Sequence, residues 1–172
     1  MKLKELKNDL ISNEEMKYVT IPFEYDYKVI SKTTDARIYK NAVLLTPGVW
    51  SDVITNSPVI YDDSVLRKYA TNWTSNYLNI DHSDNPLDRI GIVQSPYYKD
   101  SKVCGDLHIY PITSRAKDTI ALIDAGLVNN LSVEIKTVDR WDSKEMSRRV
   151  EKITFVGCAV VVNPACVDTR IK

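Results

Sequence analysis

His82 and His108 are the only histidines in a chain of 172 residues, so any general base of the imidazole kind is one of these two. His82 lies in the polar run Asn79-Ile80-Asp81-His82-Ser83-Asp84. That composition reads as a loop, where a histidine is either merely exposed or part of a site. Ser132 lies in Asn130-Leu131-Ser132-Val133-Glu134-Ile135-Lys136. The alternation sends Leu131, Val133 and Ile135 towards a core and Ser132, Glu134 and Lys136 to the opposite face. A serine becomes a nucleophile beside a base, and the base needs an orienting partner. Acyl transfer is therefore the chemistry on offer if the fold joins His82 to Ser132; otherwise this is a solvated strand face. His108 shares a strand face with Cys104, Asp106 and Tyr110 and reads first as a structural histidine. Its second reading is as the base of a Cys104 hydrolase, although nothing marks that thiol as activated. Asp81, His82 and Asp84 cluster without a second histidine at ligand spacing, so no metal centre is expected. Five glycines and no phosphate-loop or dinucleotide pattern point to no cofactor.

The rest of the chain bounds what can position these groups. Hydrophobic residues make up 44% and charged residues 27%, and 23 basic residues balance 23 acidic ones. A net charge of zero gives no pull towards nucleic acid or an anionic membrane. Three widely spaced cysteines, Cys104, Cys158 and Cys166, do not make a disulfide framework and suit a reducing compartment. Met1 to Met16 is charged and lacks a signal-peptide core, and no run approaches the roughly 20 apolar residues of a membrane span. The expectation is a soluble intracellular protein with one domain over residues 1–172, in which residues 1–16 are a short helix or a flexible arm.

The patterning predicts strands over Tyr18 to Ile30, Arg37 to Leu45, Ile90 to Tyr98, Lys102 to Ile112, Leu131 to Val138 and Val150 to Val162. Leu3 to Ile11, Val65 to Trp73 and Thr113/Ser114 to Ala125 read as helices, the last stopped by Gly126. Thr46-Pro47-Gly48 is a turn signal. Trp50 to Pro58, Asn79 to Asp88 and the charged stretch Asp139 to Arg149 read as loops. Strands that do not alternate regularly with helices imply an α+β fold, mainly an antiparallel β-barrel with a few surrounding helices.

Taken in order, several of these segments resemble the prohead (head maturation) proteases of tailed phages. They are Leu45-Thr46-Pro47-Gly48-Val49-Trp50, Asn79-Ile80-Asp81-His82 followed by Ile90-Gly91-Ile92-Val93, and Val103-Cys104-Gly105-Asp106-Leu107-His108-Ile109. Ile120 to Leu127, the Ser132 strand and the ending Val156 to Ala165 complete the set. The resemblance implies a fold shared with herpesvirus assemblins. It implies a serine endopeptidase with His82 as base and Ser132 as nucleophile, inside the assembling prohead in the host cell cytoplasm. It further implies cleavage of scaffold segments, of the capsid-protein precursor and of itself, with self-association in the prohead. A capsid assembly protein that keeps the fold without the activity is the alternative. Many relatives carry a glutamate on the closing strand, where this chain has Gly157. Glu134, two residues from Ser132 on the same strand face and roughly 6 to 7 Å along it, is the expected replacement. Asp81 and His108 are runners-up, and a Ser-His dyad is the remaining option.

Overall fold

In the computed structural model the described residues are 35–51, 57–166 and 168–171. The helix expected over Leu3 to Ile11 and the strand over Tyr18 to Ile30 lie outside them.

Among the described residues, eight strands and two α-helices follow in the order β1 (Arg37–Leu45), β2 (Gly48–Ser51), β3 (Pro58–Tyr61), α1 (Asp63–Tyr69), β4 (Trp73–Ile80), β5 (Arg89–Lys99), β6 (Lys102–Ile109), α2 (Ser114–Asp124), β7 (Asn130–Asp142) and β8 (Ser147–Val161). The ladder runs β1-β6-β5-β4-β8-β3-β2, and β7 lies along the other edge of β8. All pairings are antiparallel except those of β3 and β4 with β8. This is an α+β fold built on a curled, mostly antiparallel sheet.

The segment after β8 spans the interval between the edge strands β1 and β7. Val43 and Arg170 exchange backbone hydrogen bonds of 2.9 and 3.0 Å, and Ile171 N–H donates to the Asn129 carbonyl at 2.7 Å. The buried Thr169 hydroxyl donates to the Leu131 carbonyl, one residue before Ser132. The C-terminal segment thus ties β1 to the start of β7. Leu44, Leu66, Leu78, Leu107, Ile109, Leu131, Ile153 and Phe155 are among the fully buried side chains of the core that the sheet curls around.

Strands β1, β5, β6 and β8 and helix α2 lie where the patterning put them. Thr113 caps α2, its Oγ1 accepting from the Ala116 N–H at 3.1 Å, and Gly126 ends the turn at φ +69°. Three expectations are corrected. The helix over Val65 to Trp73 is α1, which ends at Tyr69, and Trp73 opens β4 instead. Its indole stacks on Phe155 with centroids 4.7 Å apart, and this contact with β8 outweighs the helical period. The loop expected over Trp50 to Pro58 contains the end of β2 and the start of β3, which pairs with Arg148 and Arg149 of β8. The loop over Asp139 to Arg149 is largely ladder, because its charges pair across the hairpin: Arg140 with Glu151 at 2.8 Å and Arg149 with Asp142 at 2.9 Å.

Candidate active site

The site lies on the face of the sheet where β4, β8 and β7 run side by side. Ala159 of β8 pairs with Asn79 of β4 on one side and Ser132 of β7 on the other. Gly157, two residues earlier, likewise sits between Tyr77 and Glu134. Residues directly opposite share a face, so Tyr77, Asn79, Ser132 and Glu134 all project on this side. β4 and β7 are two ladder spacings apart, about 10 Å. Only the small Gly157 and Ala159 lie between them, which leaves a shallow valley where side chains from the outer strands meet.

Glu134 is the centre of that meeting. Its Oε1 accepts from Asn79 Nδ2 at 2.9 Å and lies 3.0 Å from His82 Nδ1. Its Oε2 accepts from the Tyr77 hydroxyl. Burial pushes the Glu134 carboxyl up, but Tyr77, His82 and Asn79 together outweigh it and hold the carboxyl below its ordinary range. Tyr77 responds in the opposite sense: burial, with Glu134 beside it, pushes its phenol up to about 12.

His82 reaches Glu134 from the turn after β4. Asp81 and His82 both adopt left-handed backbone, at φ 53° and 55°, a conformation that costs a non-glycine residue roughly 1 to 2 kcal/mol. The turn is braced from both ends. Asp81 N–H donates to the Val160 carbonyl at 3.0 Å, and the Ser83 hydroxyl donates to buried Asp88 at 2.6 Å. Arg115 of α2 pairs with the other Asp88 oxygen. The Ser83 hydroxyl and Arg115 hold the Asp88 carboxyl below its usual range.

Ser132, His82 and Glu134 line one cleft of about 460 Å³ with Leu45, Trp50, Tyr61, Val133, Ile135 and Cys166. Ser132 Oγ has no hydrogen-bond partner among the described residues. The expected split of β7 holds at Leu131, which is buried, but not beyond it: Val133 and Ile135, expected on the core face, are only half-buried and line the cleft, and the β7–β8 register shifts between Glu134 and Ile135. The other candidates lie apart from this group. Asp81 is exposed, and His108 is on β6, away from the cleft. Cys104 is buried, and burial pushes the Cys158 thiol up to about 12, the reverse of an activated nucleophile. No group of three or more metal-ligating side chains occurs among the described residues, and no helix among them is long and apolar enough to cross a membrane.

Sequence reasoning missed Tyr77 and Asn79, because β4 was not recognised as a strand. The period-two spacing Tyr77-x-Asn79, mirrored by Gly157-x-Ala159, was the available signal.

Glu134, Asp88, Asp106 and Asp142 all have carboxyls held below their ordinary range in the folded chain. A depressed folded pKa adds stability that is fully present above the unfolded value of about 4 and is lost as the pH falls through the folded value. The thermal midpoint is therefore expected to hold from neutrality to about pH 5 and to drop steeply below about pH 4. Circular dichroism melts across that range check it, and a midpoint indifferent to acid contradicts it.

A family model described as Caudovirus prohead serine protease matches residues 103–172. The solved structure of the bacteriophage T4 capsid assembly protease, gp21, superposes with a TM-score of 0.50 at 17% identity, covering 77% of this chain and 95% of that one. At that identity the likeness speaks for the fold. No curated protein matches the chain.

Proposed function

We propose that this chain, whose residues 103–172 match the family model described as Caudovirus prohead serine protease, is a serine endopeptidase of phage prohead maturation, with Ser132 as its nucleophile, His82 as its general base and Glu134 as the residue that orients the base. The observation that carries the assignment is the 3.0 Å approach of His82 Nδ1 to Glu134 Oε1 in the cleft that Ser132 also lines. An imidazole held at Nδ1 by a carboxylate presents Nε2 as the free acceptor. Ser132 Oγ attacks the scissile carbonyl while His82 Nε2 takes its proton. The proton then passes to the departing amine nitrogen, and water repeats the cycle to release the acyl group. Glu134 keeps the tautomer and balances the imidazolium. Gly157, where many relatives carry a glutamate, directly faces Glu134 across the β7–β8 ladder. The carboxylate in this reading has moved one strand over while staying on the same rung.

The substrates are scaffold segments, the capsid-protein precursor and the protease itself, inside an immature head. The apolar wall of Leu45, Trp50, Tyr61 and Val133 suits an extended polypeptide. A barrel of the herpesvirus assemblin kind belongs to the same reading, supported by the bonds through which the C-terminal segment ties β1 to β7.

Intact-mass comparison tests the assignment. The chain is co-expressed with its capsid or scaffold protein, once as written and once as Ser132→Ala. Defined fragments in the first sample only are expected, and they also give the cleavage sites. Identical fragments in both remove Ser132 from the role, and fragments in neither favour a non-proteolytic assembly protein.

A further inference from the structure

We propose that Tyr77 and Asn79 are positioning residues of this protease, which together fix the Glu134 carboxylate against His82 Nδ1, and that Gly157 is the recess that admits the Tyr77 ring. The inference rests on the roles given above to His82 and Glu134.

A carboxylate two residues along a strand from the nucleophile has several rotamers, most of them useless to a histidine arriving from another strand. Three donors leave Glu134 one. Tyr77 holds Oε2, Asn79 holds Oε1, and the second lobe of Oε1 is left for His82. Asn79 Nδ2 also lies 3.5 Å from the Ser83 carbonyl, so one buried amide touches both the carboxylate and the turn that carries His82. Its Oδ1 is buried without a hydrogen-bond partner among the described residues. The Tyr77 ring is held as firmly as its hydroxyl. The Arg89 guanidinium lies 4.4 Å from the ring centroid, and on the ladder side the ring fills the space over Gly157. A Cβ at residue 157 would stand 2.5 Å from Tyr77 Cε2, so any side chain there displaces the ring. Glycine at 157 and tyrosine at 77 are therefore one device. The titratable and charged groups around Glu134 are His82, Tyr77 and the buried Cys158 thiol, with Arg89 and Asp84 acting on Tyr77.

The test needs no knowledge of the natural substrate. The full chain is reacted with a fluorophosphonate, which forms a phosphorus–oxygen bond to an activated serine Oγ and expels fluoride as the hydroxyl proton passes to the base. Labelling rates at Ser132 are measured against pH for the chain as written, Tyr77→Phe, Glu134→Gln and the double variant. Tyr77→Phe is expected to slow labelling about tenfold, the size of one hydrogen bond to a charged group. Its acid limb is expected to move to higher pH, since Glu134 protonates more readily without the phenol. In the Glu134→Gln background the same change is expected to cost about twofold or less, because it acts through Glu134. Gly157→Ala is expected to reproduce the Tyr77→Phe signature. Tyr77→Phe labelled at the original rate with an unmoved pH profile overturns the proposal. So does a slowing of equal size in both backgrounds, which marks a merely structural residue. A chain never labelled at Ser132, or Glu134→Gln labelled at the original rate, instead overturns the assignment of the site itself, and this inference falls with it.

Discussion

His82→Ala is expected to lower kcat/KM on a peptide spanning a mapped cleavage site by about 10⁴-fold or more. A serine hydroxyl is a poor nucleophile unless its proton leaves as the carbonyl is attacked. His108 offers no substitute, since it lies on β6 away from the cleft. Groups that act as one unit do not add, so His82→Ala combined with Ser132→Ala is expected to be no worse than either alone. Glu134→Gln is expected to cost less, on the order of 10²-fold or more, through the tautomer. Glutamine can turn its NH₂ towards His82 Nδ1. The imidazole proton then sits on Nε2, where it cannot receive one from Ser132. The pH dependence separates the two variants. The Glu134 carboxyl lies below its ordinary range, so it stays ionised through neutrality, and its own protonation costs activity only at acid pH. A His82→Ala chain within about tenfold of the original rate removes His82 from the mechanism, because no general base is worth so little.

The strands legible in the sequence are those whose pattern is local. Arg37–Leu45 and Lys102–Ile109 read as strands because their own residues alternate or are β-branched, and Thr113 and Gly126 punctuate α2 at both ends. The strand β4 was hidden because Leu66, Tyr69, Ala70 and Trp73 make a good helical face by themselves. The decision against a helix at Trp73 comes from Phe155, more than eighty positions later, on whose ring the indole stacks and whose N–H bonds to the Asn72 carbonyl at 2.9 Å. The hairpin end of β7 and β8 was hidden for a related reason. A run of charges looks solvated until the partner charges are seen across the ladder. The same distinction separates the site residues. His82, Ser132 and Glu134 could be singled out by residue type, since few side chains can serve as base, nucleophile and orienter. Tyr77 and Asn79 have many ordinary uses on a strand. They gain meaning only from the register that sets them across Gly157 and Ala159 from Glu134 and Ser132.

Gly91→Ala is expected to lower the unfolding free energy by about 3 kcal/mol, the upper part of the range for overpacking a filled interior. An ideal Cβ on residue 91 falls 2.1 Å from the His108 carbonyl oxygen and 3.0 Å from Ile109 Cα. Both are backbone atoms, so no side-chain rotamer relieves the clash and the β5–β6 ladder itself has to part. Gly91 pairs with Ile109 of β6 on one side and with Leu78 of β4 on the other. A displacement there passes directly to the strand that carries Asn79 and ends at the His82 turn. The glycine of the Ile90-Gly91-Ile92-Val93 segment is thus required by close backbone approach rather than by a turn, and its neighbourhood to the base is a matter of support. Gly126→Ala makes the contrast. A Cβ there meets nothing within 4 Å, and only its φ of +69° resists, so the cost is expected to stay near 1 kcal/mol. Urea unfolding of the two variants beside the original chain measures both. Equal costs would contradict the close backbone approach as the reason for glycine at residue 91. With the larger cost, the labelling rate at Ser132 is expected to fall in the Gly91→Ala chain even where it is fully folded, because the turn bearing His82 hangs from the same ladder.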